Sequence, residues 1–155
     1  MKLRIISVGH KMPDWVETAC AEYTKRMPRE LSVEIIEIKP EKRAAGNSTE
    51  NIQVLESTRI LEAVGKDFLI ACDERGAKIS TLQLAEKLQT WQVLGRDVGI
   101  IIGGADGLHT SLKQRADWLW GLSSLTLPHA FVRVLLCEQL YRAHSVLIGH
   151  PYHRE

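Results

Sequence analysis

The stretch that constrains this chain most is Val98-Gly99-Ile100-Ile101-Ile102, apolar at every position and broken at once by Gly103-Gly104-Ala105-Asp106-Gly107. A strand with no polar alternation is one that is buried on both faces, the situation of strands in parallel sheets covered by helices. Three glycines in the next five positions suit a strand end where the backbone turns tightly and approaches a ligand with no Cβ in the way. Eleven residues past Gly107 a second such stretch begins, Trp118-Leu119-Trp120-Gly121-Leu122-Ser123-Ser124-Leu125-Thr126-Leu127-Pro128-His129, alternately apolar and small polar and stopped by a proline.

The rest of the chain repeats strand and helix around that centre. Leu3 to Val8 reads as a strand ending at Gly9. Val16, Ala19, Cys20, Tyr23 and Met27 then recur at helical spacing between Pro13 and Pro28. Leu31 to Ile38 is a second strand, followed by a polar loop whose Lys39, Lys42 and Arg43 could touch phosphate, although a solvated charged loop is the commoner outcome. Thr49 to Val64 is a helix closed by Gly65, and Asp67 to Cys72 a short strand with Asp73-Glu74-Arg75-Gly76 as the loop at its carboxyl end. Ser80 and Gln83 have capping-box spacing, and Leu82, Ala85, Leu88 and Trp91 form the inner stripe of the helix that follows. This order predicts an α/β fold: one domain over 1–155, a mostly parallel sheet with helices on both faces.

In such sheets ligands sit outside the carboxyl ends of strands. The ends at Cys72-Asp73, at Gly103-Gly104 and at the turn into Leu125-Thr126-Leu127-Pro128 are therefore candidates. None carries the glycine spacing of a dinucleotide fold or a Walker loop. Twenty Lys and Arg against nineteen Asp and Glu leave a net charge of +1, so no general basic field holds nucleic acid, and an RNA partner needs a local patch. Cys20, Cys72 and Cys137 are far apart and show no metal-ligand spacing; they read as buried thiols of a reducing, cytoplasmic protein, and no stretch has the length of a membrane span.

Phe131 to Ile148 reads as one helix with apolar residues nearly all round it. A helix apolar on every side is buried on every side. The sheet covers one side, so a homodimer through this helix is expected, with a central helix in a monomer core as the alternative. Within it Glu138 and Arg142 lie four apart on one face, and Arg142 is a candidate for holding phosphate or a base. The chain ends His150-Pro151-Tyr152-His153-Arg154-Glu155, bringing together groups that stack on and hydrogen-bond to an unstacked RNA base.

Gly103-Gly104 after an apolar strand, the segment Leu122-Ser123-Ser124-Leu125-Thr126-Leu127-Pro128-His129, the following Arg133-Val134-Leu135 and Glu138-Gln139-Leu140-Tyr141-Arg142-Ala143, and the terminal His150 to Glu155 closely resemble the RlmH family. These are small methyltransferases of the SPOUT superfamily that modify a pseudouridine of large-subunit ribosomal RNA, and the likeness runs from Val8-Gly9 to Glu155. The resemblance implies a deep C-terminal trefoil knot. It implies S-adenosylmethionine bent in that knot, lined by Cys72, Gly103, Gly104, Leu122, Ser123, Ser124, Leu125, Thr126 and Leu127, with no metal. Cys72 stands where that family has a larger aliphatic residue. The expected reaction is methylation of ring N3 of the pseudouridine on the assembled ribosome. Arg142, His153 and Arg154 are the catalytic candidates and, with His129 and Tyr152, the substrate-binding ones; the tail of one subunit is expected to complete the site of the other. The sequence assigns the N3 proton to neither His129 nor His153. A non-catalytic dimeric RNA- or ribosome-binding protein and a flavodoxin-like nucleotide enzyme remain as alternatives.

Overall fold

The computed structural model describes residues 1–9, 11–42, 46, 48–103 and 107–154; Gly104, Ala105 and Asp106 of the glycine loop, and Arg43, lie outside the described residues. The elements in chain order are β1 (Lys2–Val8), α1 (Asp14–Thr24), β2 (Ser32–Ile38), α2 (Thr49–Val64), β3 (Phe68–Ala77), α3 (Thr81–Val93), β4 (Val98–Ile102), α4 (Thr110–Arg115), β5 (Trp118–Trp120) and α5 (His129–Leu147). The five strands form one sheet in the order β2-β1-β4-β3-β5, parallel at every pairing.

The apolar run at 98–102 occupies the centre of that sheet, as its composition demands. β4 is hydrogen-bonded to β1 on one side (Leu3 beside Val98, Ser7 beside Ile102) and to β3 on the other (Phe68 beside Val98), and all five of its residues are buried. Side chains alternate across the sheet. Leu3, Ile5, Val98 and Ile100 meet α1, α3 and α5 on one face, while Ile6, Val8, Leu69 and Ile101 meet α2 and α4 on the other. The expected capping box is present: Ser80 Oγ accepts from the Gln83 N–H at 3.2 Å, and Gln83 Oε1 accepts from the Ser80 N–H at 2.8 Å.

Four details differ from the sequence reading. Leu82 is 41% exposed, and the inner stripe of α3 is Leu84, Ala85, Leu88 and Trp91. A strict three-residue spacing drifts about 60° backward at each step on a helix of 3.6 residues per turn, so Leu82 and Trp91 cannot share a face. β3 does not stop at Cys72: Cys72 and Ala77 both pair with Trp120, and 73–76 bulge between them. The short α4 and β5 carry too few residues for periodicity to announce them. Finally, α5 finds cover within its own chain. It lies between α1 and α3, and Leu136, Cys137, Leu140 and Ala143 are buried against Val16, Cys20, Leu84, Leu88 and the strands. What α5 leaves outside is Phe131, 55% exposed, whose ring lies 5.6 Å from that of the half-exposed Trp15 on α1.

Candidate active site

A cavity of about 480 Å³ opens at the carboxyl ends of β3, β4 and β5, within the usual size of small-molecule pockets. Cys72 and the 73–75 bulge form one wall, Ile102 and Trp120 the ends of their strands, and the whole segment 122–127 the opposite wall, with Val132 of α5 behind it. Seven of the nine residues expected to line a cofactor therefore converge. Gly103 follows Ile102 directly but is not itself in the lining, and Gly104 lies outside the described residues. The segment 122–127 belongs to no helix or strand, so its peptide groups are not committed to a helix or sheet ladder; Ser123 Oγ accepts from the Leu125 N–H at 2.9 Å and fixes its bend.

The glycines here serve the chain as well as any ligand. A Cβ on Gly103 would stand 2.7 Å from the carbonyl carbon of Gly107, so the loop's own backbone requires glycine at that position. A Cβ on Gly121 would stand 2.5 Å from the carbonyl oxygen of Gly76. This Gly76–Gly121 crossing sets the spacing between the two cavity walls. Sequence reading placed 73–76 at a strand end but did not select Asp73, Glu74, Arg75 or Lys78, which bring both signs of charge to the lining; Asp73 is partnered by Lys113 Nζ at 3.4 Å. Burial pushes the Cys72 thiol up to about 12, so it is a neutral wall and not a nucleophile.

A second constellation lies farther along α5. Glu138 Oε1 accepts from Arg142 Nε at 2.7 Å and from the Tyr152 hydroxyl at 3.2 Å, and Glu138 Oε2 accepts from Gln139 at 2.7 Å. Arg142 stacks over the Tyr152 ring at 4.7 Å and its Nη1 donates to His153 Nδ1 at 3.3 Å. Tyr152 meets Tyr141 edge-on at 4.8 Å, and Arg26 of α1 lies over Tyr141 at 5.5 Å. Burial first, then the Glu138 charge, push the Tyr152 phenol up to about 12. Arg142, Tyr152 and His153 are thus brought together, with Arg154 exposed beyond them. The guanidiniums of Arg26, Arg142 and Arg154, the rings of Tyr141 and Tyr152 and the His153 imidazole are a set that stacks on a base and pairs with phosphate.

His129 is not with this group. It opens α5, thirteen residues before Arg142, about 20 Å away along the helix. Its Nε2 accepts from Arg133 Nε at 3.1 Å, and the backbone of Gly103 acts on the ring, favouring its protonated form. Arg133 is 2% exposed, and its Nη1 donates to Glu37 Oε1 at 3.3 Å at the end of β2. Arg133 was not singled out as a site residue from the sequence. The signal available was an arginine inside an otherwise apolar stretch, four residues after a histidine and so on the same face. Among the described residues no three His, Cys, Asp or Glu side chains converge as metal ligands.

Residues 1–153 match the family model described as "Predicted SPOUT methyltransferase". The chain is 66% identical over 155 residues to the ribosomal RNA large subunit methyltransferase H of Methylobacillus flagellatus, covering 100% of both chains. It is 57% identical to the protein of the same name from Paraburkholderia phymatum, covering 99% of each. Among solved structures, a probable methylase family protein from Haemophilus influenzae aligns with a TM-score of 0.57 and 14% identity over 99% of this chain and 70% of that one. A tRNA methyltransferase from Aquifex aeolicus aligns with a TM-score of 0.55 and 15% identity over 100% of this chain and 76% of that one. At such identities the structural likeness speaks for the fold alone.

Proposed function

The chain belongs to the SPOUT methyltransferase family, with full-length relatives named as ribosomal RNA large subunit methyltransferases, and we propose that it methylates ring N3 of a pseudouridine in large-subunit ribosomal RNA with S-adenosylmethionine as donor. The observation that carries this reading is the cavity in which Cys72 and the 122–127 segment face each other across strand ends. Its volume suits a nucleoside-sized ligand, and its lining suits the two halves of the donor: apolar walls from Cys72, Leu122 and Leu127, peptide groups outside any helix or sheet ladder from 122–127, and charged side chains at 73–78. The bound donor supplies an already activated methyl on a sulfonium, so positioning is most of what the protein must add. Holding the acceptor nitrogen in line supplies about 7–11 kcal/mol of the barrier.

The acceptor side falls to Arg142, Tyr152, His153 and Arg154. Tyr152 and Tyr141 offer ring faces, and Arg142, kept charged by Glu138, favours the deprotonated ring over the neutral one. In one chain this group lies about 15 Å along α5 from Val132, where the cavity ends. Two copies packed with their α5 helices antiparallel about a two-fold axis would bring the tail of each to the cavity of the other. The half-exposed Trp15–Phe131 pair on the α1–α5 face is apolar surface suited to such packing. The close crossing of Gly76 and Gly121 fits a C-terminal segment threaded as a trefoil knot. A net charge of +1 is weak for gripping free RNA, so the proposed target is the rRNA presented by the assembled ribosome in the cytoplasm.

The test is calorimetric titration of S-adenosylmethionine, followed by methyl transfer to ribosomes and to protein-free rRNA, with N3 methylation read as a block to primer extension. Binding with transfer to ribosomes supports the reading. RNA or ribosome binding without S-adenosylmethionine binding replaces it with the non-catalytic one. For the shared site, a tail-deleted subunit mixed with a subunit unable to bind cofactor should regain activity; failure to complement refutes action in trans.

A further inference from the structure

We propose that Arg133 is a positioning residue: by donating to His129 Nε2 it locks that imidazole as the Nδ1–H form, which in turn holds the Gly103 turn at the cofactor cavity. A guanidinium has only donors. The 3.1 Å contact from Arg133 Nε therefore requires a lone pair on His129 Nε2, and a neutral ring then carries its proton on Nδ1. The Gly103 backbone favours a proton on the ring; a carbonyl can only accept and Nε2 is taken by Arg133, so we assign the Gly103 carbonyl to that Nδ1–H. With both nitrogens committed, His129 has no lone pair left to take a proton from substrate. It ties α5 to the end of β4 immediately beside Ile102, which lines the cavity.

The cost of the arrangement argues that it is selected for something. Arg133 is 2% exposed, and among the described residues its Nη2 has no hydrogen-bond partner. Its counter-charge, Glu37 at 3.3 Å, is itself 38% exposed. A buried cation so thinly compensated costs several kcal/mol, which methionine of similar volume would avoid. Register explains how Glu37 comes to be there. It lies on the same face of β2 as Val33 and Ile35, toward α1 and α5, and pairs in the ladder with Ser7. Among the described residues, the charged groups acting on the ring are Arg133 on its own helix and Glu37 at the end of β2; the end of β4 offers the Gly103 carbonyl. Burial, and then the Arg133 charge, hold His129 below the ordinary histidine range, so it stays neutral near pH 7.

Removing Arg133 has a pH signature that a merely structural residue lacks. In Arg133→Met the neutral ring is free to move its proton to Nε2, turning a lone pair toward the Gly103 carbonyl; protonation at lower pH restores Nδ1–H and the hydrogen bond. The role assigned to the turn rests on the cofactor reading above. The experiment is long-range ¹H–¹⁵N correlation of the His129 ring at pH 7.5, with S-adenosylmethionine titrations from pH 5.5 to 8.5. Wild type should show the proton on Nδ1 and an affinity nearly constant with pH. Arg133→Met should bind about tenfold more weakly at pH 8.5, the loss of one hydrogen bond, and recover as pH falls. In the His129→Asn, Arg133→Met double variant, an amide N–H takes the place of Nδ1–H, and affinity should return to within about threefold of wild type at every pH. A proton on Nε2 in wild type overturns the proposal. So does an Arg133→Met defect that is equal at all pH values and not relieved by His129→Asn. If Arg133→Met does not fold, the wild-type spectrum and Arg133→Lys, whose ammonium still donates to Nε2, decide the matter. Wild-type protein with Nδ1–H that binds no S-adenosylmethionine defeats the cofactor reading and leaves the tautomer lock standing.

Discussion

Gly121→Ala adds one methyl group where two stretches of backbone cross. The new Cβ would lie 2.5 Å from the Gly76 carbonyl oxygen and 3.1 Å from its carbon, where ordinary contact begins near 3.4 Å. Neither neighbour is a flexible side chain, so the two segments must separate by about 1 Å. That movement is opposed by the Gly121 N–H donated to Ala77 O at 3.0 Å and by the pairing of Trp120 with both Cys72 and Ala77. Overpacking of this kind costs about 1–3 kcal/mol and a weakened hydrogen bond about 1 more, giving about 2–4 kcal/mol in all. For a chain of this size each kcal/mol lowers Tm by about 2–4 °C, so a fall of about 5–15 °C is expected. Because 73–75 and 122–127 are the two cavity walls, S-adenosylmethionine affinity should fall with stability. The control is Gly95→Ala, at φ +69° with nothing within 4 Å of the added Cβ. It should cost about 1–2 kcal/mol through backbone strain alone and leave affinity unchanged. Urea unfolding at one fixed protein concentration and calorimetric titration report both quantities. A Gly121→Ala protein within about 0.5 kcal/mol of wild type would refute the argument that this crossing has no room.

Glu138→Gln removes the charge that gathers Arg142, Tyr152 and Gln139, and should lower kcat for methyl transfer on ribosomes by tenfold or more with S-adenosylmethionine affinity unchanged; a matching loss of cofactor affinity would argue against a role confined to the tail. The Tyr152 phenol is raised to about 12 against an ordinary value of 10.0. The folded state therefore holds this proton more tightly, and the associated stability is complete below about pH 10 and lost as pH rises toward 12. Absorbance titration should show one tyrosine ionising late, and Glu138→Gln should bring it earlier. Cys72, also held near 12 by burial, should be alkylated by iodoacetamide at pH 8 on the order of a thousand times more slowly than a free cysteine, as read by mass spectrometry of partial digests. Leu140→Ala, at a fully buried position on the inner face of α5, should cost about 3–5 kcal/mol in urea unfolding.

The alternation of strand and helix, and the bounds of β1, β2 and β4, could be read from the sequence because apolar residues cluster in short runs set off by turn residues, because burial on both faces leaves β4 no polar position, and because Ser80 and Gln83 announce a helix start within four residues. The family likeness supplied the 122–127 wall and the tail, which are contiguous motifs. Local spacing could not show the relations that join residues far apart in the chain. The order β2-β1-β4-β3-β5, the bulge at 73–76 that lets Gly76 touch Gly121, and the three-residue β5 exist only through pairing partners tens of residues away. The same holds for function. Sequence placed His129 with Tyr152 and His153 by chemical type, whereas a helix of nineteen residues holds them at opposite ends and gives His129 to Arg133 and Gly103. Residue type and period determined which elements form; the side chain each group finally faces was decided by the packing of α5 between α1 and α3, which buries Arg133 beside Glu37 across 96 positions of sequence.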